Sequence, residues 1–208
     1  MGPPVPPEII TEAVRLGATK LGENRPQELV SKHGQIVPEP EWHMIGHLQT
    51  NKVKQIIDKT AMIQSLDSLK LAAEIDKRAK QINIIINVLI EINIANENTK
   101  NGVKPKELQH FVENMFIFSN IRMRGLMCVP PFVQNADNNR VYFEKMLKLS
   151  VDNKKNILHN YFTPESDMIL SMGMSNDYMA AIQEGANMVR IGSALFGARH
   201  NTKEDFCK

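Results

Sequence analysis

Ile84-Ile85-Ile86-Asn87-Val88-Leu89-Ile90 is the stretch that decides the fold. All of it but Asn87 is aliphatic, and every aliphatic residue but Leu89 is β-branched. A strand with one wet face alternates apolar with polar. A nearly unbroken β-branched run reads instead as a strand covered on both faces, as in a parallel sheet whose crossovers lay helices over it. On its C-terminal side, Leu108, Phe111, Val112 and Met115 have the i, i+3, i+4, i+7 spacing of a helix. A strand follows over 121–129 and stops at Pro130-Pro131, and Phe143, Met146 and Leu147 mark the next helix. Then come a strand over 168–172, a helix carrying Tyr178, Ala181 and Ile182 that Gly185 stops, and a last strand over 188–191.

The N-terminal side repeats the alternation. Asp67 starts a helix with Leu71, Ile75 and Ala79 on one stripe, preceded by a strand over 61–64. Thr50 caps a helix that points Val53, Ile56 and Ile57 inward. Before it lie a strand over 42–45, a helix over 26–33 and a short strand over 20–23. Pro7 opens the first helix, where its missing N–H goes unneeded; Ile10, Ala13 and Val14 share a face, and Gly17 ends it. The sum is seven strands with a helix ahead of the first. Repeated βα units imply a parallel sheet. The count favours a (β/α)8 TIM-type barrel over an open doubly wound sheet, and no Gly-x-Gly-x-x-Gly follows any strand. A barrel of this type has eight strands. The opening order helix, strand, helix places the missing one first.

Length and composition suit one large α/β domain: 208 residues, 42% hydrophobic and 23% charged. A net charge of +2 gives no electrostatic footprint for nucleic acid. The start, Met1-Gly2-Pro3-Pro4-Val5-Pro6-Pro7, has neither the basic nor the apolar region of a signal peptide. The apolar run over 84–94 is too short and polar to span a bilayer. Two cysteines, Cys128 and Cys207, read as a buried thiol and a tail thiol, so a reducing, cytoplasmic setting is expected.

Functional groups of such a barrel lie at the C-terminal ends of the strands, and a phosphate site is commonly built from the last two loops. Here those loops carry Ser171-Met172-Gly173-Met174-Ser175 and Arg190-Ile191-Gly192-Ser193. Small residues let backbone N–H groups approach phosphate oxygens. Taken singly, Ser175 reads equally as a helix cap and Gly192 as a tight turn. Arg190 sits in an apolar strand and needs a partner. His43 and His47 straddle a strand end without a third ligand at regular spacing, so no metal site is expected. Asn24, Asn93 and His47 are candidates to line the mouth. Lys52, Lys54 and Lys59 read as a solvated helix face.

Five segments together resemble a known family. They are Gly22-Glu23-Asn24-Arg25-x-Gln27-Glu28, Trp42-His43-x-Ile45-Gly46-His47-Leu48-Gln49-x-Asn51-Lys52, Gly125-Leu126-Met127, Ser171-Met172-Gly173-Met174-Ser175-x-Asp177 and Val189-Arg190-Ile191-Gly192-Ser193-x-Leu195-Phe196-Gly197-x-Arg199. They are similar to the pyridoxal 5′-phosphate (PLP) homeostasis proteins, from about Pro4 to Arg199. The resemblance implies the barrel of the alanine racemase N-terminal domain, here as one PLP-binding domain over residues 1–208. It implies a carrier and regulator of PLP rather than an enzyme, with no catalytic residue. The expected partners are PLP and PLP-dependent apoenzymes; neither nucleic acid nor membrane is expected, and the chain is expected to be a monomer. It places Arg190 at the pyridine nitrogen, Ser175, Gly192 and Ser193 at the phosphate, Ser171 and Met172 beside it, and Asn24 near the ring.

One feature of the family pattern is not matched. Its PLP lysine ends the first barrel strand, shortly before a proline. With Pro4 or Pro6 as that proline, the lysine position falls on Met1 or Pro3. Lys20 belongs to the following strand and is not a substitute. The expectation is therefore a chain truncated at its N-terminus relative to the family, with covalent PLP binding lost. The alternative is a racemase-like PLP enzyme, which requires that lysine and a second acid/base group.

Overall fold

The computed structural model describes residues 5–97, 99–158 and 168–197. Met1, Pro3, Pro4, Arg199 and Cys207 lie outside them. Among the described residues α-helices and strands alternate: α1 (Pro7–Arg15), β1 (Lys20–Glu23), α2 (Pro26–Lys32), β2 (Glu41–Met44), α3 (Val53–Ile56), β3 (Met62–Leu66), α4 (Leu69–Gln81), β4 (Ile86–Ile92), α5 (Leu108–Met115), β5 (Ile121–Cys128), α6 (Arg140–Leu158), β6 (Ile169–Met174), α7 (Tyr178–Gln183), β7 (Met188–Arg190) and α8 (Ser193–Phe196). The strands form one seven-stranded sheet in chain order, β1 to β7, and every pairing is parallel.

The sheet curls into the wall of a barrel. In a flat sheet β3 and β6 would lie about 14 Å apart, three strand spacings. Yet Gln64 of β3 bonds Ser171 of β6 at 2.8 Å and reaches the sulfur of Met188 on β7. The architecture is the TIM-type α/β barrel, with β1 and β7 at the two ends of the strand order among the described residues.

β4 is buried on both faces because the barrel has two apolar layers. Val88, Ile90 and Ile92 join the main core under the helices, with Trp42, Leu71, Ile75, Leu108, Val112, Phe143 and Met146. Leu89 points the other way, into a small cluster inside the barrel with Met62 and Met127. Strand β4 starts later than the apolar run suggests, since Ile85 is exposed. Gly125 permits the close packing of β5 on β6. A Cβ there would sit 1.9 Å from the Ile169 carbonyl oxygen, a backbone atom that cannot swing away.

Several local expectations are corrected. Thr50 does not cap α3; it begins a short 3-10 turn that makes no side-chain cap. Asp67 gives way to Ser68, whose hydroxyl accepts the Leu71 N–H as the true cap of α4. The helices marked by Leu147 and Ile182 form as α6 and α7; both of these side chains are exposed, and Ala180 and Ala181 carry the buried side of α7.

Candidate functional site

The C-terminal mouth of the barrel holds a polar layer beyond the inner apolar cluster. Arg190, the last residue of β7, donates from Nη1 to Ser171 Oγ at 2.7 Å and from Nη2 to the Cys128 carbonyl at 2.8 Å. The partners expected for this half-buried cation are thus a hydroxyl and a carbonyl. Burial pulls its pKa below the ordinary arginine value, and the charges of Cys128, Glu91 and Asp177 oppose that. Ser171 is fully buried and passes its own hydrogen to Gln64 Oε1 at 2.8 Å. Gln64 Nε2 in turn faces His43 Nδ1 at 2.8 Å. Burial drives His43 down to about 4, so its ring is neutral near pH 7. One hydrogen-bonded line therefore crosses the barrel from β7 through β6 and β3 to β2.

The two final loops are tied together by Ser175. Its Oγ accepts from the Gly192 N–H at 3.1 Å and from the Ala194 N–H at 3.2 Å. It does not cap α7, whose N-cap position is Asp177. Asp177 steadies the β6 loop by accepting from the Met174 N–H at 2.8 Å and from Asn139 Nδ2 at 2.7 Å. Gly192 has a negative φ, and a Cβ built on it would meet nothing within 4 Å among the described residues. Neither backbone conformation nor internal packing requires a glycine there. Among the described residues its missing side chain leaves open space beside the two N–H groups that Ser175 Oγ gathers, a place suited to an anion that takes those donors over.

The remaining sequence candidates are more scattered. Ser193 is exposed at the start of α8. Met172 packs into the outer core, so only its backbone is available to a ligand. Asn24 is exposed just beyond β1, and its carbonyl presses on Gly46, where a Cβ would come within 2.3 Å. Asn93 is committed to its own loop, donating to the Glu97 and Lys100 carbonyls and accepting the Glu97 N–H. His47 Nδ1 lies 3.1 Å from Asp67, apart from the His43 ring that bonds Gln64. Lys20 begins β1 and is exposed, at the end of the strand away from the mouth. The Cys128 thiol is pushed up to about 12 by burial, which makes it a poor nucleophile.

Sequence reasoning missed Gln64, and noted Glu91 only as part of the strand end Glu91-Ile92-Asn93. Both are polar residues inside apolar strands, and that was the available signal. Burial, then the Asp67 charge, raises Glu91 to about 7, with His47 and Arg190 acting against them. Its folded pKa lies above the ordinary 4.5, so the native chain binds more protons than the unfolded one in between. Stability from this group is therefore present at low pH and lost as pH rises from about 4.5 to about 7. Glu91→Gln should gain about 1–3 kcal/mol at pH 8 and nothing at pH 4, once solvent screening is allowed for. Urea unfolding across that range checks it; an equal gain at both ends would show that ionisation is not the cause.

Comparison with known proteins identifies the fold and the family. Residues 7–200 match the family described as "Alanine racemase, N-terminal domain". A pyridoxal phosphate homeostasis protein of Aquifex aeolicus is 44% identical over 196 residues, covering 94% of this chain and 83% of that protein. The chain belongs to this family. Its Haemophilus influenzae member is 36% identical over 198 residues, covering 94% of this chain and 81% of that protein. Among solved structures, PipY of Synechococcus elongatus without PLP superposes with a TM-score of 0.83 at 28% identity, covering 92% of this chain and 88% of that one. The PLP-bound form of PipY gives a TM-score of 0.78 over the same shares. An alanine racemase of Clostridium difficile shares the fold alone, with a TM-score of 0.71 at 18% identity over 96% of this chain and 52% of that one. No helix among the described residues is long and apolar enough to cross a membrane.

Proposed function

We propose that this chain binds PLP at the mouth of its barrel and acts in PLP homeostasis as a carrier and regulator rather than as an enzyme. The observation that carries this reading is the cradle at Gly192: two N–H groups converge on Ser175 Oγ beside a space that no described residue fills. Ser175, Gly192 and Ser193 hold the phosphate, Ser171 and the Met172 backbone lie beside it, and Asn24 borders the ring. Arg190 stands as a permanent donor for the ring nitrogen. Bound PLP supplies an electron sink, and that sink is strongest when the ring nitrogen is protonated. Arginine only donates, so it favours the unprotonated nitrogen and a weaker sink. This supports a carrier over a racemase-like enzyme. Residues 1–208 act as one domain, a cytoplasmic monomer that hands PLP to apoenzymes.

Residues 5–197 hold PLP through contacts that need no covalent bond, the Gly192 cradle for the phosphate and Arg190 for the ring. An absorbance titration should show saturable binding that dialysis reverses, and borohydride should leave no specific adduct. Gly192→Val should weaken binding about tenfold or more without loss of stability, since its side chain enters ligand space. A borohydride-stable adduct on one residue would overturn the noncovalent reading. Unchanged affinity in Gly192→Val would overturn the placement of the phosphate.

A further inference from the structure

We propose that Gln64 is a positioning residue for the cofactor: acting through Ser171, it holds Arg190 in the orientation that meets the ring nitrogen. The inference rests on the PLP reading above. Its basis is the run of hydrogen bonds along the polar line across the barrel, from Arg190 through Ser171 and Gln64 to His43. A guanidinium can only donate, so Ser171 Oγ must accept from Arg190 Nη1. The single hydroxyl hydrogen of Ser171 then goes to Gln64 Oε1. That fixes the amide with Nε2 toward His43 Nδ1 and the Met188 sulfur, at 2.8 and 3.2 Å. His43 Nδ1 must be a bare lone pair, which a neutral ring carrying its proton on Nε2 provides. Burial enforces that neutrality, holding His43 at about 4.

Gln64 is the link that makes the line directional. It presents an acceptor at one end and a donor at the other, and it is itself almost fully buried. Without it the Ser171 hydroxyl loses the acceptor that orients it. The hydroxyl hydrogen is then free to turn toward Arg190, which weakens the Nη1 contact and leaves the Cys128 carbonyl at Nη2 as the firmer hold on the guanidinium among the described residues. The phosphate cradle does not pass through Gln64, since its hydrogen bonds run between Ser175, Gly192 and Ala194. The ring and phosphate ends of the site are therefore separable.

That separation supplies the test. PLP and inorganic phosphate are titrated into the wild-type chain, Gln64→Leu and Gln64→Glu, with binding followed by NMR. Gln64→Leu should bind PLP about tenfold more weakly, the scale of one lost hydrogen bond, with phosphate affinity unchanged. Gln64→Glu keeps an oxygen for Ser171 and should restore PLP affinity to within about threefold of wild type. It also removes the donor to His43 Nδ1, so the histidine should titrate well above its wild-type value. Wild-type PLP affinity in Gln64→Leu would overturn the inference. So would an equal loss of PLP and phosphate, the mark of a merely structural residue, or a Gln64→Glu chain as weak as Gln64→Leu. Failure of the wild-type chain to bind PLP at all would overturn the PLP reading itself, and this inference with it.

Discussion

Replacing Lys32 with methionine should destabilise the protein by about 3–5 kcal/mol at pH 8, a loss of roughly 10 °C in Tm for a domain of this size. Lys32 and Glu23 form an ion pair in which both side chains are buried, joining the end of α2 to the end of β1. β1 has little else to hold it: Glu23 is its one buried residue, and β2 its one paired neighbour among the described residues. Removing the cation leaves a carboxylate in the interior without its partner. Burial already raises Glu23 above its ordinary pKa, Lys32 lowers it, and nearby Glu28 adds to the rise. With Lys32 gone the balance tips further upward.

The sign of the pH dependence follows. A folded pKa above the unfolded one means that stability falls as pH rises through the window between them. The Lys32→Met deficit should therefore be larger at pH 8 than at pH 5. The double variant Glu23→Leu/Lys32→Met should recover most of the loss, because an apolar pair needs no hydration to replace. Urea unfolding of the wild-type, Lys32→Met and double-variant chains at both pH values measures this. A deficit below about 1 kcal/mol at pH 8, within the range of an exposed pair, would show that water reaches the Glu23 carboxylate.

Arg190→Leu should lower PLP affinity by about two orders of magnitude or more, the usual consequence of removing one partner of a buried charge-assisted contact. It should also lower stability by about 1–3 kcal/mol, because the Cys128 carbonyl and the Ser171 hydroxyl lose the donor they share. Arg190→Lys separates the two effects. It keeps the charge but not the planar fork, so it satisfies one acceptor at a time and should recover stability more than affinity. Calorimetric titration with PLP, alongside thermal unfolding of each chain, checks the outcome. An Arg190→Leu chain with wild-type affinity would remove the arginine from the cofactor site.

Much of the barrel was legible in the sequence because periodicity is a local signal. The stripe Leu108, Phe111, Val112 and Met115 is buried in full, and the β1 limits were read to the residue. The β-branched run at β4 announced a strand covered twice, and the main core and the inner cluster are those two covers. Errors fell where local chemistry offers equivalent choices. Ser68 caps α4 beside an equally plausible Asp67, and Thr50 begins a 3-10 turn where a cap of α3 was equally plausible.

The sequence alone determined the alternation of strands and helices, the parallel sheet and the family, since each rests on neighbours in the chain or on short fixed motifs. It also marked Arg190, Ser175 and Gly192 as worth attention, but not what they touch. Only the tertiary structure decided that Arg190 is met by Ser171 and the Cys128 carbonyl, and that Ser175 gathers two N–H groups from the next loop. Gln64 and His43, 21 residues apart, meet each other, and Gln64 meets Ser171 from 107 residues away. Those pairings depend on how far the sheet curls and in what register its strands run. Closure brings β3 against β6 across the interior, and no property of either strand taken alone encodes that distance.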